Sequence, residues 1–255
     1  MTSRVIILGG GTGGTLAANR LRKRFGRREL EIVVVDQDDR HVYQPGLLFV
    51  PFGLAHVDEL VRPRERQLSS GVDFVRSAVD HVESDRSVVV LAGGSELTYD
   101  VLVVASGSTI LPEETEGLTG EGWMEKVFTF YSPEGASALA GALANFDRGK
   151  LVVNVVDMPI KCPVAPLEFC FLADWFFHKR GIRDRVELSY VTPLDGAFTK
   201  PIAASHLAGL LEKKGIELVT ETLRPADVLG ATVQRTHDGQ VERLLAPVIR
   251  DEAAT

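Results

Sequence analysis

Apolar runs alternate with amphipathic segments from the first residues onward, a pattern typical of strands followed by helices. The first run, Val5 to Leu8, leads through a glycine-rich turn into a segment that carries Leu16, Ala17 and Leu21 at helical spacing. The next apolar run, EIVVVD, ends on Asp36. We therefore predict a strand, a helix whose inner face bears Leu16, Ala17 and Leu21, and a second strand.

The region from residue 71 to residue 108 carries short apolar runs that predict strands. A hairpin is expected to turn at Gly93 and Gly94, and a last apolar strand to end at Ala105-Ser106-Gly107. This part of the chain therefore predicts a β-meander followed by a closing strand.

The second half repeats the strand and helix alternation. The predicted elements are a strand from Gly149, a helix over 163–179, a strand over 185–193 and a helix over 202–214. A polar segment over 232–244 predicts a hairpin that turns at Asp238-Gly239. The chain is thus predicted to be an α/β protein with two βαβ units, the first of which contains the meander.

Composition narrows the classes of partner. The 255 residues are 45% hydrophobic, and 28 basic against 35 acidic side chains give a net charge of -7 without a basic block, so nucleic acid is not expected as a partner. The N-terminus lacks the pattern of a signal peptide, and no apolar run approaches the roughly 20 residues that span a bilayer. We expect a cytoplasmic protein, with peripheral membrane contact left open.

The glycine-rich turn has the spacing G-x-G-x-x-G at Gly9, Gly11 and Gly14. In a dinucleotide-binding turn the first glycine permits the tight bend, the second lets the backbone approach a pyrophosphate, and the third lets the helix pack on the strand. Asp36 lies close to the offset of about 20 residues at which a carboxylate binds an adenosine ribose. We favour nucleotide binding over a merely glycine-rich turn.

The motifs carry a resemblance to a known family. The first unit resembles the FAD domain of flavoproteins with two dinucleotide-binding domains, and YDVLVVASGS resembles their second fingerprint, with Ser106 in place of the usual threonine. The stretches DRHVYQPGLLFVPFGL and PIKCPVAPLEFCFLADWFFHKRGIRDRVELSYVTP resemble the sulfide:quinone oxidoreductases. That branch includes the flavocytochrome c sulfide dehydrogenases and is related to type II NADH dehydrogenases. The resemblance covers about residues 1–219.

The resemblance implies a Rossmann-like FAD/NAD(P)-binding fold, an incomplete FAD-binding domain over residues 1–132, and a second Rossmann-like domain without a glycine-rich loop over 133–255. It implies FAD as cofactor, sulfide or a small sulfur compound as substrate, and a quinone as electron acceptor. Members of the family continue beyond this length with a segment that completes the flavin and quinone sites. A homo-oligomer or a completing partner chain is therefore left open. The residues implied to hold FAD are Gly9, Gly11, Thr12, Gly14, Asp36, Gln37, Pro45, Val79, Ala105, Ser106 and Gly107.

The turn over residues 157–162 replaces the second glycine loop. It contains no glycine, and prolines at 159, 163 and 166 remove amide donors, so it predicts a poor cradle for a pyrophosphate. NAD(P)H is therefore not expected as electron donor at this turn. The same turn places Cys162 just before a predicted helix, where unpaired amides and the neighbouring Lys161 favour a thiolate.

Position alone leaves Cys162 open between a reactive thiol and a small buried side chain. The resemblance implies the first: Cys162 matches the catalytic cysteine that handles sulfide sulfur beside the flavin. Cys170, in mid-helix, is expected in the core, and about 12 Å along that helix separates it from Cys162, too far for a disulfide. Some members carry a further redox cysteine in the region where this chain has VFTFYSPEGA, which contains Tyr131 and no cysteine.

Three functions remain as hypotheses. The leading one is an FAD-dependent oxidoreductase of the sulfide:quinone type. The alternatives are a non-catalytic or partner-completed nucleotide-binding subunit and, less favoured, an NAD(P)H:quinone reductase. His41 and Tyr43 are expected to be either proton carriers or structural residues. The aromatic cluster Trp175 to Phe177 is expected to be either a membrane contact or the core-facing side of a helix, and we favour the core-facing side. No metal-ligand spacing occurs.

Overall fold

A computed structural model describes residues 2–220 and the strand at 243–246. The hairpin predicted around Asp238-Gly239 lies outside the described residues. The chain divides into two compact units: Met1–Tyr43 with Asp58–Gly107, and Gln44–Val57 with Ser108–Thr255. The first unit thus ends at Gly107, and the two folding domains expected over residues 1–132 and 133–255 stay a prediction.

The first unit is built on a parallel sheet with the strand order β5-β2-β1-β9. An antiparallel meander of β6, β7 and β8 and a short antiparallel pair of β3 and β4 complete it. Its elements are β1 Ser3–Leu8, α1 Thr12–Arg24, β2 Leu30–Asp36, β3 Arg40–Val42, β4 Val61–Pro63, β5 Asp73–Arg76, β6 Val79–Glu83, β7 Val88–Leu91, β8 Glu96–Thr98 and β9 Val101–Val104. A short helix, α2 Val57–Leu60, leads into β4. The predicted meander is confirmed.

Both faces of this sheet are covered, which explains why its strands are apolar without a break. Val5 and Ile7 of β1 pack with Ala18 of α1 on one face. Ile6 and Leu8 pack on the other face, against the meander. The alternation along β1 therefore sends successive side chains into two separate clusters.

The prediction that Leu16 lies on the inner face of α1 is wrong. Half of the Leu16 side chain is exposed, whereas Ala18 is fully buried against the sheet. Ala17 and Leu21 do pack against the core, as predicted. Because small residues over the first two turns bring α1 close to the sheet, the buried stripe is narrow and leaves Leu16 outside it.

The second unit has a parallel sheet with the strand order β12-β11-β10-β13. Its elements are a 3₁₀ helix Gln44–Phe52, α3 Pro133–Asn145, β10 Gly149–Asn154, α4 Ala165–Lys179, β11 Val186–Val191, α5 Pro201–Lys213, β12 Ile216–Val219 and β13 Arg243–Ala246. The predicted second βαβ unit is confirmed, and α4 ends where the sequence predicted. The 3₁₀ helix packs against α3 and α4.

Helix α4 supplies much of the second core. Phe169, Ala173 and Phe177 follow each other at intervals of four residues and are fully buried, as is Cys170. The predicted core-facing side of α4 is thereby confirmed for Phe177. Trp175 is exposed on the other side of the helix, with the ammonium of Lys179 5.1 Å from its ring centroid.

None of the helices in the described part of the chain is long and apolar enough to cross a membrane.

Candidate functional site

The glycine loop between β1 and α1 has the geometry that the spacing predicts. Gly9 has φ +94°, a left-handed conformation that favours glycine, and a Cβ there would collide with the carbonyl oxygen of Ala105. A Cβ at Gly14 would collide with the carbonyl oxygen of Gly9. A Cβ at Gly11, in contrast, would meet nothing within 4 Å. The first and third glycines therefore serve close packing, whereas the second faces open space.

Helix α1 begins directly at this open space. Gly11 is its N-cap residue and provides no side-chain cap, so Thr12 starts the helix with amides that no capping side chain takes up. Unpaired amides and the positive end of the helix dipole favour an anion. A cradle that a Cβ would fill, at the start of a 13-residue helix, fits the pyrophosphate of FAD.

Asp36 lies at the end of β2 and is held by two contacts. Its Oδ2 accepts a hydrogen bond from the amide of Gly10 at 2.7 Å and pairs with Nη1 of Arg64 at 2.8 Å. Arg64 is itself buried, and its Nη2 lies 2.9 Å from Oδ1 of Asp38. The carboxylate predicted to bind the ribose is thus fixed beside the glycine loop before any ligand arrives.

The electrostatics around Arg64 extend to Asp38. Partial burial acts to raise the pKa of Asp38, but the hydrogen bond from the Arg40 amide and the guanidinium of Arg64 lower it below its ordinary value. Asp38 therefore stays ionised to lower pH than a free aspartate. Two carboxylates on one buried arginine explain why that charge is tolerated inside the unit.

Other predicted FAD residues lie around the same loop. The Ala105 amide donates to the Leu8 carbonyl at 2.8 Å, and Ala105 and Ser106 pass directly against Gly9. Gly107 has φ +76°. The first unit thus brings together Gly9, Gly11, Thr12, Gly14, Asp36, Ala105 and Ser106.

The three remaining predicted FAD residues are Gln37, Val79 and Pro45. Gln37 is exposed directly after β2, and Val79 begins β6. Pro45 is exposed in the 3₁₀ helix of the second unit. Their roles stay predictions.

Two further residues, Arg64 and His41, contact the loop or the carboxylate beside it. Arg64 was not singled out by the sequence, because 28 residues separate it from Asp36 and a buried arginine looks like any other arginine in a sequence. His41 was left open as a proton carrier or a structural residue, and its Nδ1 donates to the Gly10 carbonyl at 3.2 Å. This contact favours the structural alternative, since it braces the glycine loop.

The turn before α4 presents Cys162. The thiol is exposed, and the residue has φ +52°, one of three positive values at non-glycine residues in the described part of the chain. The Cys162 carbonyl accepts a hydrogen bond from the Ala165 amide at 3.0 Å, which begins α4. Cys162 is therefore not a buried hydrophobic side chain, and its backbone is held in a conformation that L-residues seldom adopt.

Cys170 lies in the core, as predicted. It is fully buried, and burial raises its pKa well above that of an ordinary thiol. Both cysteines are free, which confirms that they do not form a disulfide. The two thiols therefore have opposite environments: one is exposed at a turn and the other is inert inside a helix.

A small cavity adjoins the Cys162 turn within the second unit. It has a volume of about 150 Å³, and its lining carries one positive charge, no negative charge and several hydroxyl groups. Tyr131, whose hydroxyl reaches the Cys162 carbonyl, connects the cavity to the turn. The lining residues are Gln44, Ser108, Thr109, Ile110, Tyr131, Ser132, Pro133 and Lys161.

Asn154 ends β10 with an unsatisfied group. The residue is 8% exposed, and its buried Oδ1 has no hydrogen-bond partner among the residues that the structure describes. It lies at the carboxyl end of the strand from which the sheet order runs to β11 on one side and to β13 on the other. Ligands bind at this kind of switch point in open parallel sheets, so a ligand or water that donates a hydrogen bond would satisfy Asn154.

Comparisons with known proteins agree with this arrangement. A mitochondrial sulfide:quinone oxidoreductase of Mus musculus is 27% identical over 84% of this chain and 47% of its own length. An alternative NAD(P)H-ubiquinone oxidoreductase of Arabidopsis thaliana is 30% identical over 73% of this chain and 38% of its own length. The chain thus spans less than half of these curated relatives.

Among solved structures, the sulfide:quinone oxidoreductase of Aquifex aeolicus matches with a TM-score of 0.76 and 19% identity, covering 98% of this chain and 59% of that one. This match confirms the predicted Rossmann-like fold.

The sequence pattern of the family described as pyridine nucleotide-disulphide oxidoreductase matches residues 3–153, which contain the glycine loop, Asp36 and the Ala105-Ser106-Gly107 turn. The resemblance to sulfide:quinone oxidoreductases is confirmed, and so, at the level of the family, is FAD as cofactor. With its loop geometry and its matched residues in agreement, the chain belongs to the pyridine nucleotide-disulphide oxidoreductases, a family of FAD-binding flavoproteins.

Proposed function

We propose that this chain is an oxidoreductase of the sulfide:quinone type, in which Cys162 carries sulfur. The observation that supports this best is the exposed Cys162 thiol on a turn that has lost the glycines of a nucleotide loop. A thiol at a helix start, held in a strained backbone conformation, is an arrangement found at functional sites rather than in cores.

The reaction balances with one thiol. Hydrosulfide and the Cys162 thiol join through a new sulfur–sulfur bond, and the cysteine becomes a persulfide anion as two protons and an electron pair leave. The same protons and electrons reduce one quinone to a quinol. FAD, when bound, supplies the redox chemistry that accepts and passes on an electron pair. A second hydrosulfide or another small thiol would then remove the outer sulfur from Cys162.

The chain's own residues have separate tasks in this proposal. Gly11 and Thr12 would take the pyrophosphate of FAD at the start of α1, and the carboxylate of Asp36 would take the adenosine ribose. In the second unit, Lys161 and the hydroxyl groups of the cavity would attract the hydrosulfide anion toward the Cys162 turn. The exposed position of Cys162 lets a small nucleophile reach its sulfur.

NAD(P)H is disfavoured as the electron donor. The Cys162 turn offers no glycine, and the neighbouring prolines leave few amides for a second pyrophosphate. Rapid mixing of the flavin-loaded protein with NADH is therefore expected to leave the visible spectrum unchanged over the time in which sulfide bleaches it.

The test uses the purified chain from cells supplied with riboflavin. We expect a flavin spectrum that sulfide bleaches under anaerobic conditions and that a soluble quinone restores. We also expect the intact mass of the chain to increase by one sulfur atom after sulfide is added. A Cys162→Ser variant should retain the flavin colour and lose the sulfur gain and the bleaching, whereas Cys170→Ser should keep both. Bleaching by sulfide that is unaffected in Cys162→Ser would overturn the role of Cys162.

A second candidate is a flavin-binding subunit completed by another chain. It is favoured by one observation: the sequence holds two cysteines, and Cys170 is buried, so no second accessible thiol is present to resolve a persulfide on Cys162. In this case the chain alone would bind FAD without turnover, and a complex purified from its native host would restore sulfide oxidation. A homo-oligomer would show the same activity with this chain alone.

The proposal includes a cytoplasmic chain that binds to the surface of a membrane in which quinones are dissolved. Fractionation of cells that express the chain tests this location: recovery in the membrane pellet that is released by high salt or alkaline washing is the expected result.

A further inference from the structure

We infer that Tyr131 is a positioning residue that holds the Cys162 turn in the conformation in which the thiol is exposed. The inference rests on the proposed role of Cys162. Its starting point is one contact: the Tyr131 hydroxyl donates to the Cys162 carbonyl oxygen across 3.4 Å. The same oxygen accepts the Ala165 amide at 3.0 Å. Two donors on one carbonyl fix the plane of the peptide that follows the cysteine.

The Cys162 backbone needs such a support. Its φ of +52° brings the Cβ of an L-residue close to its own backbone, and glycine is the residue that adopts this conformation without cost. The sequence places no glycine there. Contacts of the turn must therefore offset the strain, and the structure provides two of them at the Cys162 carbonyl, one from Ala165 within the turn and one from Tyr131 outside it.

Tyr131 is itself fixed by its ring and not by its hydroxyl. The ring stacks on Phe130, with centroids 4.7 Å apart and planes at 20°. Phe130 stacks in turn on Phe169, at 5.0 Å and 7°. Phe169 belongs to α4, the helix that begins three residues after Cys162, so the stack ties Tyr131 to the helix that the turn precedes.

The hydroxyl also keeps its proton. Burial raises the pKa of Tyr131 well above its ordinary value, and the nearby charges of Cys162, Tyr190 and Glu168 act in the same direction. Tyr131 therefore remains a hydrogen-bond donor across neutral and alkaline pH. A phenylalanine would keep the ring stack and remove only this donor.

The position of Tyr131 links the turn to the cavity. Its side chain lines the same cavity of about 150 Å³ as Lys161, the residue that precedes the cysteine. A side chain that forms a wall of the cavity and holds the cysteine backbone sets how the thiol is presented to a small anion there. This is a role that sequence alone does not indicate, since tyrosine has no redox chemistry in common with the cysteine that some relatives carry in this region.

The experiment compares Tyr131→Phe with Tyr99→Phe, which removes a hydroxyl in the first unit. The readout is the alkylation rate of Cys162 by iodoacetamide in the folded chain, followed by mass, which requires neither FAD nor turnover. We expect Tyr131→Phe to slow alkylation by about two- to tenfold, the population change that one hydrogen bond supports. Hydrogen exchange at the Ala165 amide should accelerate in the same variant, while the melting temperature stays unchanged.

Two outcomes separate this inference from the proposed function. Equal alkylation rates in wild type, Tyr131→Phe and Tyr99→Phe would overturn the role of Tyr131, whatever the activity of Cys162→Ser. Slower alkylation in Tyr131→Phe combined with full sulfide oxidation by Cys162→Ser would leave Tyr131 as the residue that positions Cys162, and would reject the sulfur-carrying role of that cysteine.

Discussion

The guanidinium of Arg64 lies against the carboxylate of Asp36, with Nη1 2.8 Å from Oδ2, in the loop where the first unit would receive its dinucleotide. The same carboxylate oxygen accepts the Gly10 amide at 2.7 Å. Arg64 therefore fixes the end of β2 relative to the glycine loop. A site built this way is organised before the cofactor binds, so binding does not have to order it.

Removing this arginine is expected to destabilise the first unit. Its side chain is 7% exposed, and Arg64→Leu would leave Asp36 and Asp38 as partly buried carboxylates without their partner. Loss of one member of a buried ion pair costs about 3–5 kcal/mol of unfolding free energy. Urea denaturation measures this loss of unfolding free energy. The value for Arg64→Lys should fall between those of the wild type and Arg64→Leu, because the ammonium of lysine cannot contact both carboxylates as the forked guanidinium does.

Arg66→Leu is the matched control for Arg64→Leu, since Arg66 is exposed two residues along the same segment. We expect it to change the unfolding free energy by no more than about 0.5 kcal/mol. If Arg64→Leu were as mild as Arg66→Leu, the buried ion pair would not be the support of Asp36.

The glycines of the loop allow a second matched pair. Gly11 has φ -69°, which any residue adopts, and a Cβ there meets nothing within 4 Å, so Gly11→Ala is expected to fold normally. The added methyl group would occupy the space for the pyrophosphate and weaken FAD binding by at least about tenfold, equivalent to about 1.4 kcal/mol. Titration of the chain with FAD, followed by flavin fluorescence, gives the affinity.

Gly14→Ala should behave in the opposite way, because its Cβ would collide with the Gly9 carbonyl and separate α1 from β1. We expect a lower melting temperature even without FAD. Equal melting temperatures of the two alanine variants would show that the close contact at Gly14 relaxes at no cost.

The sequence predicted most of the fold because its strongest signals are local. The glycine spacing, the apolar run that ends at Asp36 and the hairpin at Gly93-Gly94 each specify an element within a few residues. The structure has the expected parallel strands, meander and second βαβ unit. The prediction of the inner face of α1 was wrong for Leu16, since helical spacing alone does not reveal how narrow the buried stripe of the helix is.

The candidate site could be predicted only in part, for a physical reason. Gly11, Asp36 and Cys162 stand at positions that a motif or a family resemblance marks. Arg64 and Tyr131 act through contacts across long sequence separations, with Asp36 and with the Cys162 carbonyl. Such contacts depend on packing, and neither residue type nor spacing encodes them.

The different burial of the two cysteines predicts a simple thiol count. Under native conditions a thiol reagent such as dithionitrobenzoate should react with one equivalent, because Cys162 is exposed and Cys170 is buried with its pKa raised. Cys162→Ser should lower the native count to zero, and Cys170→Ser should leave it at one. In guanidinium, which unfolds the chain, the wild type should react with two equivalents of the reagent because Cys170 becomes accessible. Fast reaction of both thiols in the native state would contradict the buried position of Cys170.

Asp174 is expected to make stability depend on acid pH. Its side chain is 2% exposed, Oδ2 lies 2.6 Å from Nζ of Lys214, and Oδ1 lies 2.8 Å from Nε of Arg183. Burial acts to raise the pKa of Asp174, but the hydrogen bonds from Lys214 and Arg183, with the charges of Lys214 and His178, lower it below the ordinary value. The neighbouring cations therefore outweigh burial, and the pKa of Asp174 is lowered.

The sign of the pH effect follows from that lowered pKa. The stabilisation by ionised Asp174 is fully present above its unfolded pKa of about 3.9 and is lost as pH falls through its lower folded value. Asp174→Asn should reduce the unfolding free energy by about 3–5 kcal/mol at neutral pH, because Arg183 and Lys214 lose the carboxylate between them. The difference from wild type should narrow below about pH 4. Urea denaturation between neutral pH and the acid range measures both curves, with Asp184→Asn, an exposed aspartate nearby, as the variant that should follow the wild type. Parallel curves for wild type and Asp174→Asn down to the acid limit would mean that folding does not lower the pKa of Asp174.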